Sequence, residues 1–117
     1  MTKPLINTID PKECPWDQAR LKIIAKSPAE EQRMLNISLR QGEQVLASMV
    51  TYCENNDLVQ WRRMAHTLYG MALNLGMQQL ASYCKEDEES ASSREACIHL
   101  MEGIRTELGR IKQYKER

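Results

Sequence analysis

Three long stretches of this chain repeat apolar residues at alternating steps of three and four, and that rhythm restricts what the chain can fold into. The first is Leu35, Leu39, Gly42, Leu46, Met49 and Cys53. The second is Leu58, Trp61, Ala65, Leu68, Ala72 and Leu75, and the third is Cys97, Met101, Ile104, Leu108 and Ile111. Steps of three and four average to one turn of an α-helix, so each stretch lays an apolar stripe along one helix face. Stripes of that kind must be buried against one another. The chain has no Phe and only 5% aromatic residues, whereas β-sandwiches lean on aromatic and β-branched side chains. Its seven Met, with Leu, Ile, Val and Ala, suit a core between helices.

Punctuation between the stripes sets the helix boundaries. In Ser27-Pro28-Ala29-Glu30, Ser27 can cap, Pro28 fits the first turn and Glu30 can close a capping box. That helix is predicted to end near Asn55-Asn56. Asp57 is the next cap, with Gln60 in the reciprocal position, and Gly76 is a natural C-terminal stop. Met77 to about Glu88 reads as a weaker helix carrying Met77, Leu80, Tyr83 and Cys84. Its acidic run from Glu86 to Glu89 opposes the macrodipole, which predicts fraying from about Glu86. Ser92 to Glu95 is a further capping box, and the basic ending after Ile111 suits a last helical turn.

Ahead of these, Pro15 opens a short helix over Trp16 to Ala25, with Leu21 and Ile24 on one face. A helix of about ten residues is marginal alone, so it must lie across something larger. Residues 1–14, broken by Pro4 and Asp10-Pro11, read as an irregular arm from which Leu5, Ile6 and Ile9 can pack on the body. Short connections favour antiparallel neighbours. The expected fold is therefore all-α: an antiparallel up-down-up-down four-helix bundle with a short extra N-terminal helix, spanning residues 15–117. Gly42 interrupts the first stripe at a cost of roughly 1 kcal/mol; it either admits a close neighbour or marks a bend.

Composition excludes several roles. Sixteen basic and sixteen acidic residues leave no net charge, against the basic excess that nucleic-acid binding needs. No apolar run approaches the ~18 residues of a membrane span, and Met1-Thr2-Lys3-Pro4 leads into no apolar signal segment. Cys14, Cys53, Cys84 and Cys97 are expected as free thiols in a cytoplasmic protein, three of them lying in apolar helical patterns. The chain contains no CxxC or HxxxH spacing, so no metal site is expected.

His66 is one of two histidines. It follows Ala65 of the second stripe, and a step of ~100° carries it to the edge of the buried face. Arg62, His66, Tyr69, Gly70 and Leu73 then share a second, more exposed stripe. A histidine there is by itself an ordinary surface residue. Gly70 adds information, because a mid-helix glycine costs roughly 1 kcal/mol against alanine and on this stripe does little for the core. It clears space one turn from the imidazole, as a histidine reached by another protein's active site requires. His99, on the last helix, reads as a flanking surface residue.

These residues carry a resemblance. Asp57-Leu58, Arg62-Arg63-Met64-Ala65 and His66-Thr67-Leu68-x-Gly70-x5-Gly76 resemble the histidine-containing phosphotransfer (HPt) domain of multistep two-component phosphorelays. Trp16-Asp17, the Ser27 to Glu30 break and the long helix after it continue the likeness, which covers roughly Pro15 to Leu108. The resemblance implies a four-helix bundle whose exposed histidine takes a phosphoryl group from a receiver-domain aspartyl phosphate and passes it to another receiver. His66 would be the nucleophile through Nε2. Arg62, Arg63, Tyr69, Gly70 and Glu88 would lie near the phosphoryl group. Arg62, Tyr69, Gly70 and Leu73, with the facing part of the Ser27–Asn55 helix, would dock the receiver.

The implied partners are response-regulator receiver domains and a hybrid histidine kinase. The protein needs no cofactor of its own, the Mg²⁺ sits on the receiver, and the carrier is expected as a monomer. Two positions depart from the family pattern. Tyr69 stands where a lysine is usual, keeping a donor but losing the cation, and Arg62 is placed to supply the missing charge. Glu88 stands where several members have a glutamine. It either accepts from the imidazole Nδ1–H or belongs to a solvated acidic end. No Gly-rich nucleotide loop or Walker motif is present, so the chain is no kinase. A docking adaptor that carries no phosphate, marked by Tyr69, is the alternative. A plain structural bundle is a second, and a hydrolase is disfavoured because no Ser or Cys lies at nucleophile spacing from His66.

Overall fold

The computed structural model of the protein describes residues 13–90 and 93–116, except for the side chains of residues 86–90. Among the described residues are five helices and no strand: α1 (Gln18–Ile24), α2 (Pro28–Glu54), α3 (Leu58–Asn74), α4 (Gln78–Ser90) and α5 (Arg94–Lys115). The fold is all-α. Most of the expected arm, including Leu5, Ile6 and Ile9, lies outside the described residues.

Side-chain caps start the helices. Asp17 accepts from the Arg20 N–H at 3.0 Å, so α1 begins at Gln18 rather than Trp16. Ser27 accepts from the Glu30 N–H at 3.1 Å, while the Glu30 carboxylate takes the Lys26 N–H at 3.2 Å, one residue before the cap. Asp57 accepts from the Gln60 N–H at 3.2 Å. The cap of α5 is Ser93, whose hydroxyl accepts from the Ala96 N–H at 3.2 Å, one residue later than the expected Ser92. Ser92 itself lies outside the described residues. The α4 helix runs to Ser90, past the predicted fraying point. Glutamate is a good helix former, and the end-charge penalty is only a few tenths of a kcal/mol at an exposed terminus.

Two helix ends share one device. At the end of α2, Asp57 N–H donates to the Tyr52 carbonyl at 2.8 Å and Asn56 N–H to the Cys53 carbonyl at 3.0 Å, with Asn56 at φ 58°. At the end of α3, Met77 N–H donates to the Ala72 carbonyl at 2.8 Å and Gly76 N–H to the Leu73 carbonyl at 3.2 Å, with Gly76 at φ 65°. Both are Schellman motifs, which satisfy orphan carbonyls through a left-handed residue.

The long helices pack in a ring in which α2 and α4 each touch both α3 and α5. The first stripe is buried throughout, as is the third, and in the second only Leu58 is partly exposed. Gly42 admits a close neighbour: a Cβ there would stand 2.9 Å from Leu108 Cδ2. Cys53, Cys84 and Cys97 are buried free thiols, and Cys14 is a half-buried one.

The short helix α1 lies over the end of α3. Asp17 N–H donates to the Leu75 carbonyl at 3.0 Å and the Arg20 guanidinium to the Leu73 carbonyl at 2.7 Å. Leu21 and Ala25 are buried, but Ile24 is 44% exposed, against its expected place beside Leu21. Seven residues make two turns, and Ala25 rather than Ile24 follows Leu21 at the four-residue step that meets the core. Among the described residues, no helix is long and apolar enough to cross a membrane.

Candidate functional site

The outer face of α3 is held in place by its inner face. Trp61, Ala65, Leu68 and Ala72 are fully buried, which leaves the helix no rotational freedom. His66 is therefore exposed, with Arg62 and Tyr69 half-buried at its two sides and Arg63 and Gly70 exposed. The Arg63 carbonyl accepts from the Thr67 hydroxyl at 3.0 Å. Tyr69 packs its ring against the core. The imidazole and phenol centroids are 6.4 Å apart, with planes inclined by 36°.

One turn beyond His66, the surface is open. A Cβ placed on Gly70 would meet no heavy atom within 4 Å. Gly70 is therefore not small for the sake of its own fold, unlike Gly42, which Leu108 crowds. Leu73 closes the stripe at 45% exposed. Val59, 60% exposed, opens it at the other end. Its steps of three to Arg62 and seven to His66 place Val59 on the same face.

Two neighbouring elements border the stripe. On the α2 side, Gln41, Gln44 and Ser48 face Thr67 and Met71 across a shallow groove. At the α3 end, Arg20 of α1 bonds to the Leu73 carbonyl, and exposed Ile23 and Ile24 stand one turn along from Arg20. The side chain of Glu88 lies outside the described residues. His99 is exposed on α5, as expected of a flanking residue.

A buried ion pair lies elsewhere. Glu107, 4% exposed, receives Arg110 Nε on Oε1 at 2.9 Å and Nη2 on Oε2 at 2.8 Å. Arg110 Nη1 donates to the Glu13 carbonyl at 3.2 Å. The hydrogen bonds to Glu107 hold the guanidinium pKa above the ordinary arginine range. This pair ties the start of the described chain to α5. Its signal was present in the sequence: Glu107 follows Ile104 by three and precedes Ile111 by four, in phase with the third stripe.

An exposed imidazole with clear space beside it can act as a nucleophile toward a group brought by a second protein. Among the described residues, the groove that borders the site is open to solvent. A family model described as Hpt domain matches residues 33–114. No curated protein and no solved structure matches the chain.

Proposed function

The chain belongs to the Hpt domain family, and on that premise we propose that it is a phosphoryl carrier of a two-component phosphorelay, loaded on His66. Hpt domains interact with receiver domains of two-component systems. The proposed partners are response-regulator receivers and a hybrid histidine kinase, met in the cytoplasm by a monomeric carrier. The long helices would run up-down-up-down, which puts the His66 stripe and the facing α2 wall side by side as one docking surface.

In the proposed step, the Nε2 lone pair of neutral His66 attacks the phosphorus of a receiver aspartyl phosphate in line. The P–N bond forms as the P–O bond to the aspartate breaks, and the carboxylate leaves while Nδ1 keeps its proton. Return to a second receiver is the same step reversed. Mg²⁺ held by the receiver would supply charge neutralisation, and the carrier's own part is to position His66. Arg62 would reach the phosphoryl oxygens in place of the family lysine, with Arg63 adding positive potential. Tyr69, Gly70 and Leu73 would meet the receiver surface.

The observation that carries this reading is the pairing of exposed His66 with Gly70, whose missing side chain no neighbour among the described residues requires. The test is incubation with a labelled phosphoreceiver. Acid-labile, base-stable label is expected on the native protein and none on His66→Ala. Label that survives His66→Ala sinks the assignment. Tyr69 favours the second reading, a docking adaptor. A native protein that binds receivers without taking label, while Tyr69→Lys takes it, would establish the adaptor instead.

A further inference from the structure

A second groove runs between α2 and α5, along a different flank of α2 from the one that faces Thr67 and Met71. Leu46, Val50 and Leu108 form its floor. Its walls carry two very small residues, Ala47 on α2 and Gly109 on α5. Gly109 lies inside α5, is exposed, and a Cβ added there would meet no heavy atom within 4 Å. A mid-helix glycine weakens its helix relative to alanine. Neither a turn nor a close neighbour among the described residues calls for it.

The two walls of the groove also differ in charge. Arg105 and Lys112 stand one turn before and one turn after Gly109, both exposed on the α5 wall. Neither makes an ion pair with another described residue. Glu43 is the charge on the opposite wall. We propose that this groove docks an amphipathic helix of a partner protein, seated on Gly109 and Ala47, with carboxylates about two turns apart meeting Arg105 and Lys112. Small residues at a crossing let two helix axes approach to about 8 Å, and the two cations along the α5 wall fix the register of the guest helix through its carboxylates.

A second copy of this chain fits badly. Two α5 helices crossing antiparallel at Gly109 would bring Arg105 close to Lys112 and set Glu102 against Glu116. A parallel crossing would set each of these residues against itself. Like charges meet in both, so α5 of a second copy is not the guest. A guest in this groove lies between α2 and α5 and leaves the outer face of α3 open. The partner's other domains are then held near His66 at raised effective concentration. The docking itself does not depend on the phosphotransfer reading.

The test is a displayed library of helix-forming peptides of roughly five turns, panned against the whole protein. Enriched peptides are expected to carry an apolar and small-residue stripe with two carboxylates about two turns apart. They should shift the amide resonances of Ala47 and Gly109 and leave those of Gly70 in place. Gly109→Leu should weaken them at least tenfold while its uptake of label on His66 is unchanged. Arg105→Glu with Lys112→Glu should reject them and bind peptides in which both carboxylates are replaced by lysine, which also shows that this variant is folded. Failure of the library to enrich any peptide overturns the proposal. So does equal binding to Gly109→Leu, or resonance shifts confined to α3.

Discussion

His66 and Tyr69 stand one turn apart on α3 with ring centroids 6.4 Å apart and planes inclined by 36°. The phenol is anchored on the core and the imidazole is exposed. The position that the family resemblance fills with a lysine thus holds a fixed aromatic ring, and the nearest cation on the stripe is on the preceding turn, at Arg62. Arg62→Ala is expected to lower the rate of label uptake about ten- to a hundredfold, in line with the ~1.5–3 kcal/mol of a charged hydrogen bond. Tyr69→Lys in that background should restore most of the loss. A double-mutant cycle on transfer rates reads the coupling directly, and additive effects would remove Arg62 from the site.

Gly70 should separate stability from function. Its Cβ position is empty, so Gly70→Ala is expected to stabilise the fold by about 0.5–1 kcal/mol. Gly70→Leu should also fold, and it should slow transfer from a receiver at least tenfold by filling the approach to Nε2. Urea midpoints and label uptake, measured on the same samples, should move in opposite directions.

Gly76 should behave in the opposite way. At φ 65° a side chain is strained, and a Cβ there would stand 2.4 Å from Asp17 Cβ and 3.2 Å from the Asp17 amide nitrogen. Gly76→Ala must lift α1 off the end of α3 and lose the Asp17 to Leu75 bond. The expected cost is about 2–4 kcal/mol, from the left-handed penalty and overpacking together. For comparison, Asp17→Ala keeps the backbone bond and removes only the N-cap, at about 1 kcal/mol. Thermal melts of the two variants should rank accordingly.

The Glu107–Arg110 pair predicts a non-additive cycle. Arg110→Ala leaves the Glu107 carboxylate buried without its two donors, for an expected loss of about 3 kcal/mol. Replacing both residues by leucine should be much milder than the sum of the single changes. The raised pKa of Arg110 also gives a sign with pH. Its contribution is fully present below the ordinary arginine pKa and is lost only as pH rises through the still higher folded value. Between neutral pH and about pH 10, the stability difference between the native protein and Arg110→Ala should therefore show no decline that originates in Arg110 itself.

Much of the fold was legible because helices announce themselves locally. Periodicity placed the stripes of α2, α3 and α5, and Ser27, Asp57 and Gly76 marked boundaries through bonds spanning three to five residues. The errors came where two local solutions were nearly equal. Ser93 caps α5 in place of Ser92, α4 continues through its acidic run, and Ala25 instead of Ile24 packs behind Leu21. In each case a shift of one or a few residues changes the local energy by less than the packing around it.

By itself, then, the sequence determined which faces are apolar, where α2 and α3 start and stop, and that His66 lies one step off the buried stripe of α3. Only the tertiary structure decided what each of these meets. Gly42 and Gly70 are both mid-helix glycines, yet Leu108 crowds one and open space surrounds the other. Asp17 and Gly76 are remote in the chain and touch. Arg105, Gly109 and Lys112 become the wall of a groove only because α2 lies alongside. Backbone hydrogen bonding and side-chain periodicity act within a few residues, while packing distances depend on how separate helices come together. That is why the display of His66 and the small size of Gly70 beside it could be read from the sequence, and the crowding of Gly42 by Leu108 could not.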